Sequence, residues 1–141
     1  CSIAVSVIVS ILWDLINGTD ERYILDRAKK FCYDYPEHTT EAIKYFNMSS
    51  LNEAKLNEQI GYVFKCMMCG LYAFINRNKP YKEVILDIIL QGGDADTNAA
   101  VAGAILGAHQ GYNSLPQEWI SKIPFKNWLE DKLEIYLKNF Y

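Results

Sequence analysis

The sequence predicts an all-α fold, a multi-helix bundle. Three observations predict it. No apolar–polar alternation of period two persists along the chain, apolar residues recur at helical spacing, and glycine, proline and capping residues divide the chain into helix-length segments. The 141 residues suffice for one compact core and are too few for two ordinary domains, so 1–141 reads as a single all-helical domain. With 50% hydrophobic and 22% charged residues, the composition is that of a globular chain, not a disordered one. The formal charge is −3, and no basic tract is interleaved with aromatics, which argues against nucleic acid as a partner.

The first helix is expected from about Ser2 to Asn17, ending at Gly18. Its run "SIAVSVIVSILWDLI" is short for a membrane span and has neither a basic leader nor a cleavage-type end. Ser2, Ser6, Ser10, Asp14 and Asn17 recur every three or four residues, which predicts a core helix with one polar face. A chain that opens in mid-helix suggests that something upstream is missing. Thr19 is expected to cap the second helix, with Asp20 and Glu21 in its first turn and Pro36 just beyond its end. Thr39 or Thr40 opens a short third helix, and Ser50-Leu51-Asn52-Glu53 has the capping-box pattern of a fourth.

A long apolar helix follows from about Gly61 to Asn76. Pro80 suits the first position of the next, which Gly92 and Gly93 end. A small-residue helix runs from Thr97 to near Gly111, and a short turn of helix starts at Pro116. The last helix begins near Phe125, with Leu129, Leu133, Tyr136, Leu137 and Phe140 on an inward stripe.

The four cysteines are Cys1, Cys32, Cys66 and Cys69. Cys66 and Cys69 form a CxxC without the second pair that structural zinc needs, or the preceding strand of a redox motif. On a helix they share a face with Gly70 and Ala73, a strip that lets another helix approach closely. Reduced thiols fit a cytoplasmic protein. The sequons at Asn17 and Asn47 read as chance matches. His38 and His109 are each lone histidines, with surface or packing roles.

The stretch "GGDADTNAAVAGAILGAHQG" carries the chemistry. Gly92 and Gly93 permit a sharp turn, and Asp94 and Asp96, one residue apart, can converge on one point. The N-terminus of the following helix favours their negative charge. Two carboxylates and the Thr97 hydroxyl are the oxygen ligands that Mg²⁺, Ca²⁺ or Mn²⁺ prefer. Ordinary helix capping explains the same residues, and the pattern alone leaves both readings open. Gly103 and Gly107 inside the helix imply close approach of another backbone, because glycine there costs roughly 1 kcal/mol relative to alanine.

The segment "GGDADTNAAVAGAILGAHQGYNSLPQEWI" resembles the C-terminal signature of the ADP-ribosylglycohydrolases, an all-α family that includes a crystallin. "GYVFKCMMCGLYAF" and "YKEVILDIILQ" are similar to its two preceding helices, and the opening segment to a mid-chain helix. The resemblance implies a two-metal centre, usually Mg²⁺ and sometimes Mn²⁺, with ligands that fall on Asp94, Asp96 and Thr97. It implies hydrolysis of an ADP-ribose linkage to a protein side chain or small acceptor, with Tyr62 lining the substrate. The family's Thr-Asp-Asp run, its acid near the anomeric carbon and its diphosphate-binding loops do not occur here, so catalytic residues are not assigned. The chain therefore resembles the C-terminal half of such an enzyme, with one half of the metal site. Its apolar face is expected to meet a second copy or the missing N-terminal half. The alternative is a non-catalytic structural or binding protein that keeps the glycohydrolase fold.

Overall fold

A computed structural model describes residues 1–140, and side chains through Lys138 and Asn139. The elements are α1 (Ser2–Ile16), α2 (Glu21–Lys29), α3 (Thr39–Phe46), α4 (Leu51–Ala54), α5 (Val63–Ile75), α6 (Tyr81–Ile89), α7 (Ala95–Gln110), α8 (Gln117–Ile120) and α9 (Lys126–Phe140). Short 3₁₀ turns cover Lys30–Tyr33, Pro36–His38 and Tyr112–Ser114. Among the described residues there is no strand, so the chain is all-α. No helix is long and apolar enough to cross a membrane.

The bundle is organised about α5 and α7, which make the most extensive pair; α6 and α1 also pack on α7, and α2 lies on α1. Ile11, Met67, Met68, Leu71, Phe74, Ile88, Ile105 and Leu106 are fully buried between them. Each such side chain contributes roughly 1.5–3 kcal/mol by leaving water. The small-residue strip does bring helices together. A methyl on Gly70 would lie 2.4 Å from the Ile8 Cδ1 of α1 and 3.2 Å from the Val101 Cγ1 of α7.

Local signals set the helix ends. Ser50 caps α4 by accepting from the Asn52 N–H at 3.2 Å, while Glu53 accepts from the Ser49 hydroxyl instead of closing the box. Thr19 is not the cap of α2. Asp20 takes that place and accepts from the Arg22 N–H at 3.1 Å, which frees the Thr19 hydroxyl to donate to Asp14.

Three expectations are altered, each for a tertiary reason. The polar face expected of α1 is divided: Ser2 and Asn17 are exposed and Ser6 and Ser10 half-buried, but Asp14 turns inward. Asp14 is 1% exposed, held by the Thr19 hydroxyl at 3.0 Å and by Arg27 Nε at 2.9 Å. Val5, Val9, Trp13 and Ile16 point outward instead, with Trp13 64% exposed. Both faces of α1 are apolar enough to be buried, and Arg27 on α2 decides which one turns inward, because a buried carboxylate needs a partner.

The stripe on α9 is not inward either. Leu129, Leu133, Tyr136 and Leu137 are all exposed, and the Phe140 side chain lies outside the described residues. An amphipathic pattern identifies an apolar face without supplying anything to cover it.

The glycines of α7 differ from one another. Gly103 faces the Tyr81 hydroxyl, 2.6 Å from where a methyl would sit, so it accommodates a side chain, not a backbone. Gly107 has open space around it. Gly107→Ala should therefore stabilise the chain by about 0.5–1 kcal/mol through helix propensity. Urea unfolding checks this, and a loss of stability would contradict the open environment.

Candidate metal centre

The acidic turn is built by its two glycines. Gly92 and Gly93 have φ of +73° and +71°, the left-handed region, and bring the chain from α6 back into α7. Gly93 is also pressed against the Leu56 carbonyl, where a methyl would lie 2.0 Å from the oxygen. The 55–58 loop that supplies this carbonyl is fastened by a residue missed at the level of sequence. Lys65, on α5 and 6% exposed, donates to the Lys55 carbonyl at 2.7 Å and to the Glu58 carbonyl. The available signal was a lysine inside the apolar run "YVFKCMM", since a buried ammonium requires acceptors.

Asp94 occupies the N-cap position of α7, yet its side chain makes no capping hydrogen bond. Asp96 and Thr97 already lie in the first turn. Asp96 Oδ1 accepts from the Thr97 N–H at 3.0 Å. That bond, followed by a hydrogen bond with the neighbouring Asp94 carboxyl, holds the Asp96 carboxyl below its ordinary value. The two carboxylates therefore meet, although within a helical turn and not in the extended segment expected. Asp94 is half-buried; Asp96 and Thr97 are exposed. The negative charge of Asp94 helps raise the Cys66 thiol, after burial, which puts the acidic turn beside the first turns of α5.

Hard oxygen donors with a non-capping Asp94 would fit one side of a divalent cation site. Among the described residues no group of three or more His, Cys, Asp or Glu is gathered, so a cation here would draw its remaining ligands from water or from elsewhere.

Tyr62 is the N-cap residue of α5, one turn before Cys66, and so stands at the same end of the bundle. Its ring meets Tyr45 and Phe64 edge-on, each at 5.8 Å between centroids. Burial first, and then the Glu41 carboxylate beside it, push the phenol up to about 12. Tyr62 and Glu41 separate two clefts, of 390 and 450 Å³. Neither cleft is lined by Asp94, Asp96 or Thr97.

The histidines and cysteines have other roles. His109 is not alone: Nδ1 lies 3.0 Å from Glu21 Oε1 and Nε2 lies 3.3 Å from Asn78, in a cluster where Arg77 also binds Glu21 at 2.6 Å. This cluster ties α2 to the ends of α5 and α7. All four cysteines are free thiols. Burial pushes Cys69 up to about 12, so it holds almost no thiolate near neutrality. Iodoacetamide at pH 8 should modify exposed Cys1 and spare Cys32 and Cys69, as mass spectrometry of the folded chain would record; rapid labelling of Cys69 would contradict the packing.

Fold and site together define a class: an all-α bundle whose small-residue central helix opens with an Asp-x-Asp-Thr turn. The profile of the ADP-ribosylglycohydrolase family matches residues 1–140, and the chain belongs to that family. An uncharacterised protein of Archaeoglobus fulgidus is 28% identical over 131 residues, 91% of this chain and 42% of that protein. The ADP-ribosyl-[dinitrogen reductase] glycohydrolase of Rhodospirillum rubrum is 41% identical over 46 residues, 33% of this chain and 16% of that protein. The ADP-ribosylarginine hydrolase Tri1 of Serratia proteamaculans is 33% identical over 79 residues, 55% of this chain and 21% of that protein. The chain thus spans less than half the length of these relatives. No solved structure gave a significant match.

Proposed function

We propose that this chain forms the C-terminal part of a metal-dependent hydrolase that removes ADP-ribose from a modified protein or small acceptor. The observation that carries the reading is the Asp94 carboxylate, which sits at the N-cap of α7 beside Asp96 without capping the helix. Asp94, Asp96 and Thr97 would hold one side of a Mg²⁺ or Mn²⁺ ion. When bound, such an ion supplies electrostatic stabilisation and orients ribose hydroxyls and water. The chain's own residues keep the ligands rigid. The Leu56 carbonyl fixes Gly93, Lys65 fixes the Leu56 loop, and the dipole of α7 favours both carboxylates. Tyr62, protonated at neutral pH, offers a ring edge and a hydroxyl to a substrate at the same end of the bundle.

Names of the relatives support the activity, as several are ADP-ribosyl hydrolases. The exposed α1 stripe of Val5, Val9, Trp13 and Ile16 supports packing against further polypeptide, from a longer chain or a second copy. The decisive experiment measures Mg²⁺-dependent release of ADP-ribose from an ADP-ribosylated protein, by this chain alone and within a longer chain carrying the preceding segment. The expected result is little turnover alone and metal-dependent turnover in the longer chain. Absence of turnover in both would favour the second reading, a non-catalytic protein of the same fold. Its support is the lack of a third acidic ligand among the described residues.

A further inference from the structure

The chain between α4 and α5 carries three residues in the left-handed region: Lys55 at φ +47°, Gln59 at +45° and Gly61 at +82°. Gly61 adopts it freely. Lys55 and Gln59 each crowd a Cβ against the backbone, a conformation that persists only where the surroundings impose it. Three contacts impose it here. The Leu56 side chain is anchored in the core at 2% exposure. The Lys65 ammonium reaches back from the first turn of α5 and draws the Lys55 and Glu58 carbonyls onto one point. The Leu56–Asn57 peptide bears on Gly93, where a methyl would lie 2.0 Å from the Leu56 oxygen and 3.3 Å from the Asn57 nitrogen.

This segment has the acidic turn at one end and a cleft at the other. Leu56 supports Gly93, the residue before Asp94. Gln59 to Tyr62, with Glu41, line the 450 Å³ cleft. The Tyr62 ring is fixed between Tyr45 and Phe64, so any movement is taken up between Lys55 and Gly61. Two positions are open to such a segment in place of a continuum, because a buried ammonium either holds both carbonyls or gives them up to water.

We propose that residues 55–62 form a latch. Pinned by Lys65, it presses on Gly93 and shapes the acidic turn and the Gln59–Tyr62 wall together; unpinned, it lets both relax together. The inference rests on the hydrolase reading only for its use: a substrate lodged against Tyr62 would hold the latch shut and tighten the cation site, and the cation would tighten the cleft by the same factor. The latch itself stands on the segment alone.

The test uses the whole chain without metal. Gln59→Gly removes the crowded Cβ and should raise the urea midpoint. Lys65→Met removes the pin and should shift the amide NMR signals of Gly93 and Asp94 as well as those of Gly61 and Tyr62. It should also make the effect of Gly93→Ala on the unfolding equilibrium about tenfold smaller, since an unpinned loop gives way to the methyl, while Gly92→Ala keeps its effect. The unaltered chain supplies a further measurement that needs no variant. Hydrogen exchange in low urea should show the Glu58 and Tyr62 amides, bonded to the Lys55 and Gln59 carbonyls, opening as one unit with the Asn98 amide, bonded to the Asp94 carbonyl. A lowered midpoint for Gln59→Gly, shifts confined to one end, an undiminished effect of Gly93→Ala, or separate opening of the two ends would overturn the latch. The two readings fail separately. None of these measurements involves metal or substrate, so their failure leaves the hydrolase reading standing. Absence of ADP-ribose release in the longer chain removes that reading and leaves the latch.

Discussion

Gly93→Ala is expected to destabilise the chain by roughly 3 kcal/mol, enough to unfold a marginal domain. Two effects add. The backbone at Gly93 has φ of +71°, where an L-residue with a Cβ costs about 1–2 kcal/mol. The new methyl would also sit 2.0 Å from the Leu56 carbonyl oxygen and 2.7 Å from its carbon. Backbone atoms cannot swing aside as the tip of a flexible side chain can, so the 55–58 loop or the acidic turn must move. Gly92→Ala is the internal control. Its φ is +73°, but nothing lies within 4 Å of the added methyl, so only the conformational cost of about 1–2 kcal/mol is expected. Chemical denaturation of the two variants isolates the contact with Leu56. Equal losses would mean that the loop does not press on the turn.

Asp94→Ala is expected to abolish the thermal stabilisation of the chain by Mg²⁺. At a free Mg²⁺ concentration ten times the dissociation constant, the unaltered chain should gain about 1.4 kcal/mol, and the variant should show no gain. Without metal the variant should lie within about 0.5 kcal/mol of the unaltered chain, since Asp94 makes no capping hydrogen bond that alanine would forfeit. A loss of about 1 kcal/mol that is the same with and without Mg²⁺ would identify a cap and remove the metal role. The pH dependence has a definite sign. Asp96 is held below its ordinary value by the Thr97 N–H and the Asp94 carboxyl, so its contribution is present above the unfolded carboxylate range near about pH 4 and fades as pH falls through the lower folded value.

Much of the fold was legible residue by residue. Gly18, Pro80, Ser50 and the Gly92-Gly93 pair mark helix boundaries because capping and left-handed backbone are short-range properties. The Cys66–Gly70 strip was legible for the same reason: three- and four-residue spacing fixes a helical face. The proximity of Asp94 and Asp96 was legible too, but not its form, because α7 begins earlier than Thr97 and takes Asp96 into its first turn. The partners of His109 were not legible, since Glu21 stands 88 residues away in the chain.

The sequence by itself determined that this protein is all-α, where most helices start and stop, and that one acidic turn opens a small-residue helix. Each follows from interactions among residues a few positions apart. Only the tertiary structure decided that Asp14 turns inward to Arg27 while Trp13 faces out, that Lys65 braces the loop under Gly93, and that Leu129, Leu133 and Leu137 of α9 are exposed. The physical reason is common to all three. Burial and ion pairing depend on which distant surface arrives at a face, and a pattern along one helix carries no record of its neighbour.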